Sequence, residues 1–276
     1  MKKKTLLSLG VTAAVTAAAA PLFVLGKKTG IGPFAYLHDQ DLSALPGNGP
    51  EYDFDSVLPM DSSPLEGKRV LVLGSSNVLG TSSMGSSVAE YLHKRFGCIC
   101  TREAARGSTL CELGPQSYVS RLKALDPAEP YDLVVCHLSS NDATKRLPLG
   151  SAGKKDVLGK TVAGGIRAVI DYVKETWGCP MVFFTNSYFT NDRYERMVRL
   201  LYDITKGTDV GVLDLWNDKN FNTISREEKE LFMADAIHPT KAGYRNWWGP
   251  ELERQLRRYL QRTEKKEEER QDGGQV

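Results

Sequence analysis

Short apolar runs alternating with segments of helical period constrain this chain more than any other feature. "RVLVLG" (69–74), "CICTREA" (98–104), "DLVVCHL" (132–138), "MVFFTN" (181–186) and "VGVLDL" (210–215) carry the β-branched and aromatic residues that strands favour. Between them Val88, Leu92 and Phe96 recur at helical spacing, as do Ile166, Ile170, Val173 and Trp177, and Tyr194, Val198, Leu201 and Ile204. A last helix is expected to carry Trp248, Leu252, Leu256 and Tyr259. Strands apolar on both faces, separated by amphipathic helices, predict a parallel sheet sandwiched between helix layers. Working residues of such sheets gather in the loops at the carboxyl ends of the strands.

The ends of the chain differ from this middle. Lys2–Lys4 precede an apolar, uncharged stretch from Thr5 to Gly26, long enough to cross a bilayer. Residues 1–28 therefore read either as a membrane anchor (5–26) or as a signal peptide cut near Ala19. Both place the body of the protein outside the cytoplasm, with the lysines inside, and confine membrane contact to this segment. Residues 29–66, with five prolines, read as a linker or extended strap, and 67–262 as the folded domain. The charged run 263–276 is expected to fray or be disordered.

Charge is nearly balanced, 36 basic against 34 acidic residues, which gives no pull toward nucleic acid. Cys98, Cys100, Cys111, Cys136 and Cys179 make an odd count, read mainly as buried thiols, with a Cys100–Cys111 disulfide left open. Their spacing does not suggest zinc.

The first apolar run empties into "GSSNVLGTSS" (74–83). A phosphate cradle would need lysine where Thr81 stands, or glycine where Ser76 stands, so that reading fails. A nucleophilic serine needs a base, a carboxylate and an oxyanion hole. Of the four histidines, His38 lies in the strap, His93 on a solvated helix face, and His137 within a strand as a core imidazole. His238 stands in the irregular "DAIHPTKAGY" (235–244), and Asp235 is one tight turn from its imidazole. Asn141, in "SSND" after the third strand, has an amide suited to a developing oxyanion, although an Asx turn also explains it. Gly107, in "RGSTL", offers an unobstructed backbone N–H.

Together "VLGSSNV", "RGSTL", "HLSSND" and "DAIHP" resemble the SGNH (GDSL-type) hydrolases, in that family's order, over roughly residues 68–261. The resemblance implies a three-layer α/β/α sandwich on a flavodoxin-like parallel sheet. It implies Ser76 as nucleophile, Asp235 and His238 completing the triad, and Ser76 N–H, Gly107 N–H and the Asn141 amide as oxyanion hole. No metal or organic cofactor is implied. The sequence departs from the family pattern at Ser75, in place of aspartate, and at Ser139, in place of glycine. Ser75 remains a rival nucleophile.

The expected activity is extracytoplasmic hydrolysis of short-chain acyl esters through an acyl-enzyme, with an acylated carbohydrate as the expected substrate class. The alternatives are a non-catalytic carbohydrate-binding protein on the same fold, or an O-acyltransferase. The long insertion 143–160, with Lys145, Arg146, Lys154, Lys155 and Lys160, is expected to border the site with polar, cationic groups.

Overall fold

The computed structural model describes residues 41–153 and 159–273. The chain divides into two compact units, 1–42 and 43–276, and the fold described is that of the second. The segment 1–28, the cut near Ala19, His38, Lys154 and Lys155 lie outside the described residues. No helix among the described residues is long and apolar enough to cross a membrane.

The strap from 43 to 66 runs through three 3-10 turns, Pro46–Asn48, Pro50–Tyr52 and Phe54–Ser56. It buries Phe54 and Leu65 in the core of the second unit. The chain then enters β1 (Arg69–Gly74), α1 (Ser76–Leu79), α2 (Val88–Phe96), β2 (Ile99–Ala104), α3 (Tyr118–Lys123), β3 (Leu133–His137) and α4 (Ser140–Thr144). It continues through α5 (Val162–Thr176), β4 (Met181–Phe184), α6 (Asp192–Thr205), β5 (Gly211–Leu213) and α7 (Arg226–Phe232). A π-helical turn, Gly243–Trp248, leads into α8 (Gly249–Gly273).

All strand pairs are parallel, in the order β2-β1-β3-β4-β5. Side chains alternate between the two faces of a strand, and here both faces are covered. Leu71, Leu73, Val134, Cys136 and Phe183 pack under α3, α5 and α6. Val70, Val72, Leu133, Val135, Val182 and Phe184 pack under α2 and α8. This is the three-layer α/β/α sandwich with a flavodoxin-like sheet. In that strand order the connections diverge between β1 and β3, which leaves a crevice at their carboxyl ends.

The tail differs from expectation. Residues 263–273 continue α8 instead of fraying. Glu, Lys, Arg and Gln are good helix formers, and opposite charges fall one turn apart, as in Lys265 with Glu269. Lys266 and Arg270 also reach Asp209, at 3.1 and 3.6 Å, so the last turns are held to the body.

Candidate active site

The turn after β1 is tight. A Cβ on Gly74 would lie 2.2 Å from Val78 Cγ2, so only glycine lets α1 fold back this closely on the strand. Ser76 then opens α1, 5% exposed, while its neighbour Ser75 is fully buried. Across the crevice, an antiparallel bridge between Met233 and Pro239 closes the segment that carries His238. The Ala234 amide donates to the His238 carbonyl at 2.9 Å, so the intervening residues form a closed loop.

Inside that loop Asp235 Oδ1 accepts the backbone N–H groups of Ile237 (2.7 Å) and His238 (2.8 Å). Its other oxygen, Oδ2, lies 2.8 Å from His238 Nδ1. His238 Nε2 lies 2.8 Å from Ser76 Oγ. The three residues therefore stand in one hydrogen-bonded line. A hydroxyl on an imidazole whose far nitrogen is held by a carboxylate is the arrangement that lets an alcohol attack an acyl carbon. Partial burial pushes the Asp235 carboxyl up, but the hydrogen bond and charge of His238 and the two amides outweigh it. The net effect holds Asp235 below its ordinary value, and therefore ionised.

Gly107 lies in the loop after β2 with φ +73°, a left-handed conformation that costs other residues strain. Asn141 lies in the first turn of α4, after β3. Its amide donates to the Ser108 carbonyl at 3.0 Å, and an amide nitrogen carries a second N–H. Ser108 ties the three loops together. Its hydroxyl lies 3.3 Å from the Gly74 carbonyl, and its own carbonyl also accepts from Ser139 Oγ at 3.2 Å. The hydroxyl that replaces the family's glycine at 139 thus has a partner.

Several residues that hold this geometry carry no local signal in the sequence. Asp142 is fully buried, and its two oxygens accept the Leu110 and Cys111 amides, each at 2.9 Å. Burial pushes its carboxyl up against the pull of those amides. Arg121 donates to the Gly74 carbonyl and to Glu103, both at 2.7 Å, bracing the β1 edge from α3. Asn186 donates to the Ile237 carbonyl at 3.1 Å and faces His137 Nε2 at 2.6 Å. Position at the carboxyl edge of β4 is the one signal that could have marked Asn186, which was not among the residues expected in the site. The expected core role of His137 matches its complete burial, which lowers its pKa to about 4. His93 is exposed, as expected, with Nδ1 2.8 Å from the Cys98 carbonyl.

The insertion after α4 is partly turned inward. Leu147, Leu149 and Ala152 pack against the core, while Lys145 Nζ donates to the Gly107 carbonyl at 2.6 Å.

The profile of the GDSL-like Lipase/Acylhydrolase family matches residues 72–245, more than half of the chain. No curated protein matches. Among solved structures, a protein from Lactobacillus plantarum superposes with a TM-score of 0.60 at 19% identity, covering 71% of this chain and 97% of that one. A protein described as a possible lipase from Chitinophaga pinensis gives 0.55 at 14% identity, covering 69% and 98%. An acetyl xylan esterase from the rumen bacterium Butyrivibrio proteoclasticus gives 0.51 at 12% identity, covering 72% and 66%. At these identities the likeness is one of fold.

Proposed function

This chain belongs to the GDSL-like Lipase/Acylhydrolase family and is a hydrolase of ester bonds, and from that premise we propose that Ser76, His238 and Asp235 perform the reaction. Ser76 Oγ attacks the ester carbonyl while His238 Nε2 takes its proton, and Asp235 keeps Nδ1 protonated and the ring oriented. The oxyanion is held by the backbone N–H groups of Ser76 and Gly107 and by the second N–H of the Asn141 amide. Collapse of the intermediate releases the alcohol, which takes the proton from His238, and leaves an acyl-Ser76. Water, deprotonated by His238, then frees the acid. The observation that carries this reading is the line from Ser76 Oγ to His238 to Asp235, with both contacts at 2.8 Å.

The substrate in this reading is a short acyl ester of a polar carrier, an O-acetylated carbohydrate outside the cell. Its support lies in the loop above the site. The large apolar groups Leu147 and Leu149 are spent on the core, and the neighbour of the oxyanion loop is the Lys145 ammonium. A long acyl chain needs an apolar tunnel, whereas a carbohydrate needs hydrogen-bonding walls. Hydrolysis of p-nitrophenyl acetate should greatly exceed that of the decanoate and palmitate esters, and acetylated xylo- or chito-oligosaccharides should release acetate. Preference for the long chains would refute the carbohydrate reading. Export rests on the Lys2–Lys4 cluster and the apolar stretch 5–26. Protease treatment of intact cells should digest the domain, and its survival would count against export.

A further inference from the structure

Away from the triad, at the amino end of β2, two sulfurs are brought together. Cys98 and Cys100 lie on the same side of an extended segment, since alternate residues share a face. Their Sγ atoms are 3.5 Å apart. Cys98 is fully buried and Cys100, which packs against the same core, is half-buried, so Cys100 is the more accessible of the two. The remaining cysteines have different surroundings. Cys136 Sγ points to the His137 carbonyl within the core, and Cys111 Sγ to the Pro148 carbonyl.

We propose that Cys98 and Cys100 form a redox-active dithiol that closes to a disulfide by exchange with a small external disulfide. The Cys100 thiolate attacks one sulfur of the external disulfide, and a new S–S bond forms as one small thiolate leaves. The Cys98 thiolate then attacks the Cys100 sulfur and expels the rest of the reagent as a second thiolate. The two protein thiols lose two protons and two electrons, and the external disulfide becomes two thiols.

The backbone permits closure but opposes a relaxed bond. Residues two apart in a strand have Cα atoms about 6.6 Å apart, near the upper end of what a disulfide spans. The segment must therefore shorten. Cys98 precedes the first ladder residue and follows Gly97 in a left-handed conformation (φ +67°), whereas Ile99 and Cys100 pair with Arg69 and Val70 of β1, so the adjustment falls mainly on the Gly97–Cys98 side. A bond closed under such strain is readily reduced, which is the property of an exchanging pair and not of a structural cross-link. The contact between the two thiols holds Cys98 below its ordinary pKa, which favours it as the resolving thiolate, and together with burial pushes Cys100 above its own, so the first exchange at Cys100 is the slow step.

Trypsin isolates the pair, because cleavage at Arg95 and Arg102 yields residues 96–102 with both cysteines and no other. The native full-length protein would be treated with oxidised glutathione, quenched in acid, alkylated and digested. Peptide 96–102 should be lighter than the dithiol by two hydrogens, unalkylated, and return to the dithiol with reduced glutathione. Peptide 175–193, with the half-buried Cys179 alone, should be alkylated or carry one glutathione. Cys98→Ser should trap a glutathione adduct on Cys100. Wild-type protein with both cysteines of 96–102 alkylated, or with stable glutathione adducts there, would overturn the proposal. So would a Cys98→Ser protein that takes no adduct.

Discussion

Ser76 Oγ lies 2.8 Å from His238 Nε2, although 162 positions of sequence separate the two residues. Ser75, the adjacent hydroxyl, is fully buried. Ser76→Ala should therefore abolish ester hydrolysis and labelling by a fluorophosphonate, while Ser75→Ala should retain both. Labelling that survives in Ser76→Ala and is lost in Ser75→Ala would reverse the assignment.

In the proposed reaction Asn141 supplies the side-chain donor whose bond strengthens as charge develops on the substrate oxygen. Asn141→Ala should lower kcat by about 10²–10³ with little change in KM. The same substitution also removes the bond to Ser108 O, so circular dichroism must show that the fold persists. Wild-type turnover would reduce "SSND" to a strand-ending turn.

The parts of this site that were legible in the sequence are those with local pattern. The β1 run ending in Gly74-Ser75-Ser76 and the pair Asp235 and His238 are contiguous signals of hydropathy, turn chemistry and spacing. The bracing contacts are not. Asp142 reads as a turn residue until the Leu110 and Cys111 amides are seen on its two oxygens. Asn186 looks like the end of a strand until it meets the Ile237 carbonyl. Such roles depend on which loops the sheet order makes neighbours, and strand order is not written in any one segment. The helical tail failed to register for another reason: a run of mixed charge has no apolar stripe, and its pairing with Asp209 is tertiary.

His137 gives a pH dependence with a definite sign. Its ordinary value is 6.5, and burial brings it to about 4 in the folded protein. Between those values the unfolded chain binds a proton that the folded chain refuses, so stability falls as pH drops from about 6.5 to about 4. One proton over that window amounts to on the order of 3 kcal/mol. Urea midpoints between pH 4 and 7 should show the decline, and His137→Gln should flatten it. An unchanged slope in the variant would assign the effect to other groups.

Asn48 links the strap to both halves of the site. Its Nδ2 donates to the Ser82 carbonyl, in the loop after α1, at 2.9 Å. Its Oδ1 accepts the Lys241 amide, just past His238, at 2.9 Å. Lys241 Nζ in turn reaches Asp53 of the strap, and a Cβ on Gly47 would lie 1.9 Å from the Leu231 carbonyl. The segment that reads as a proline-rich linker thus sits as a wedge against the loop that carries His238. Asn48→Ala leaves the buried Lys241 N–H without this partner, at a cost of about 1–3 kcal/mol, and takes the same partner from the partly buried Ser82 carbonyl. It should lower kcat more than it raises KM, because His238 loses support while the substrate walls remain. A chain beginning at Gly67 should lose more activity than one beginning at Asp41, and thermal melts with acetate-ester kinetics would compare them. Equal activity and stability of the two would show that residues 67–273 hold His238 against Ser76 without the strap.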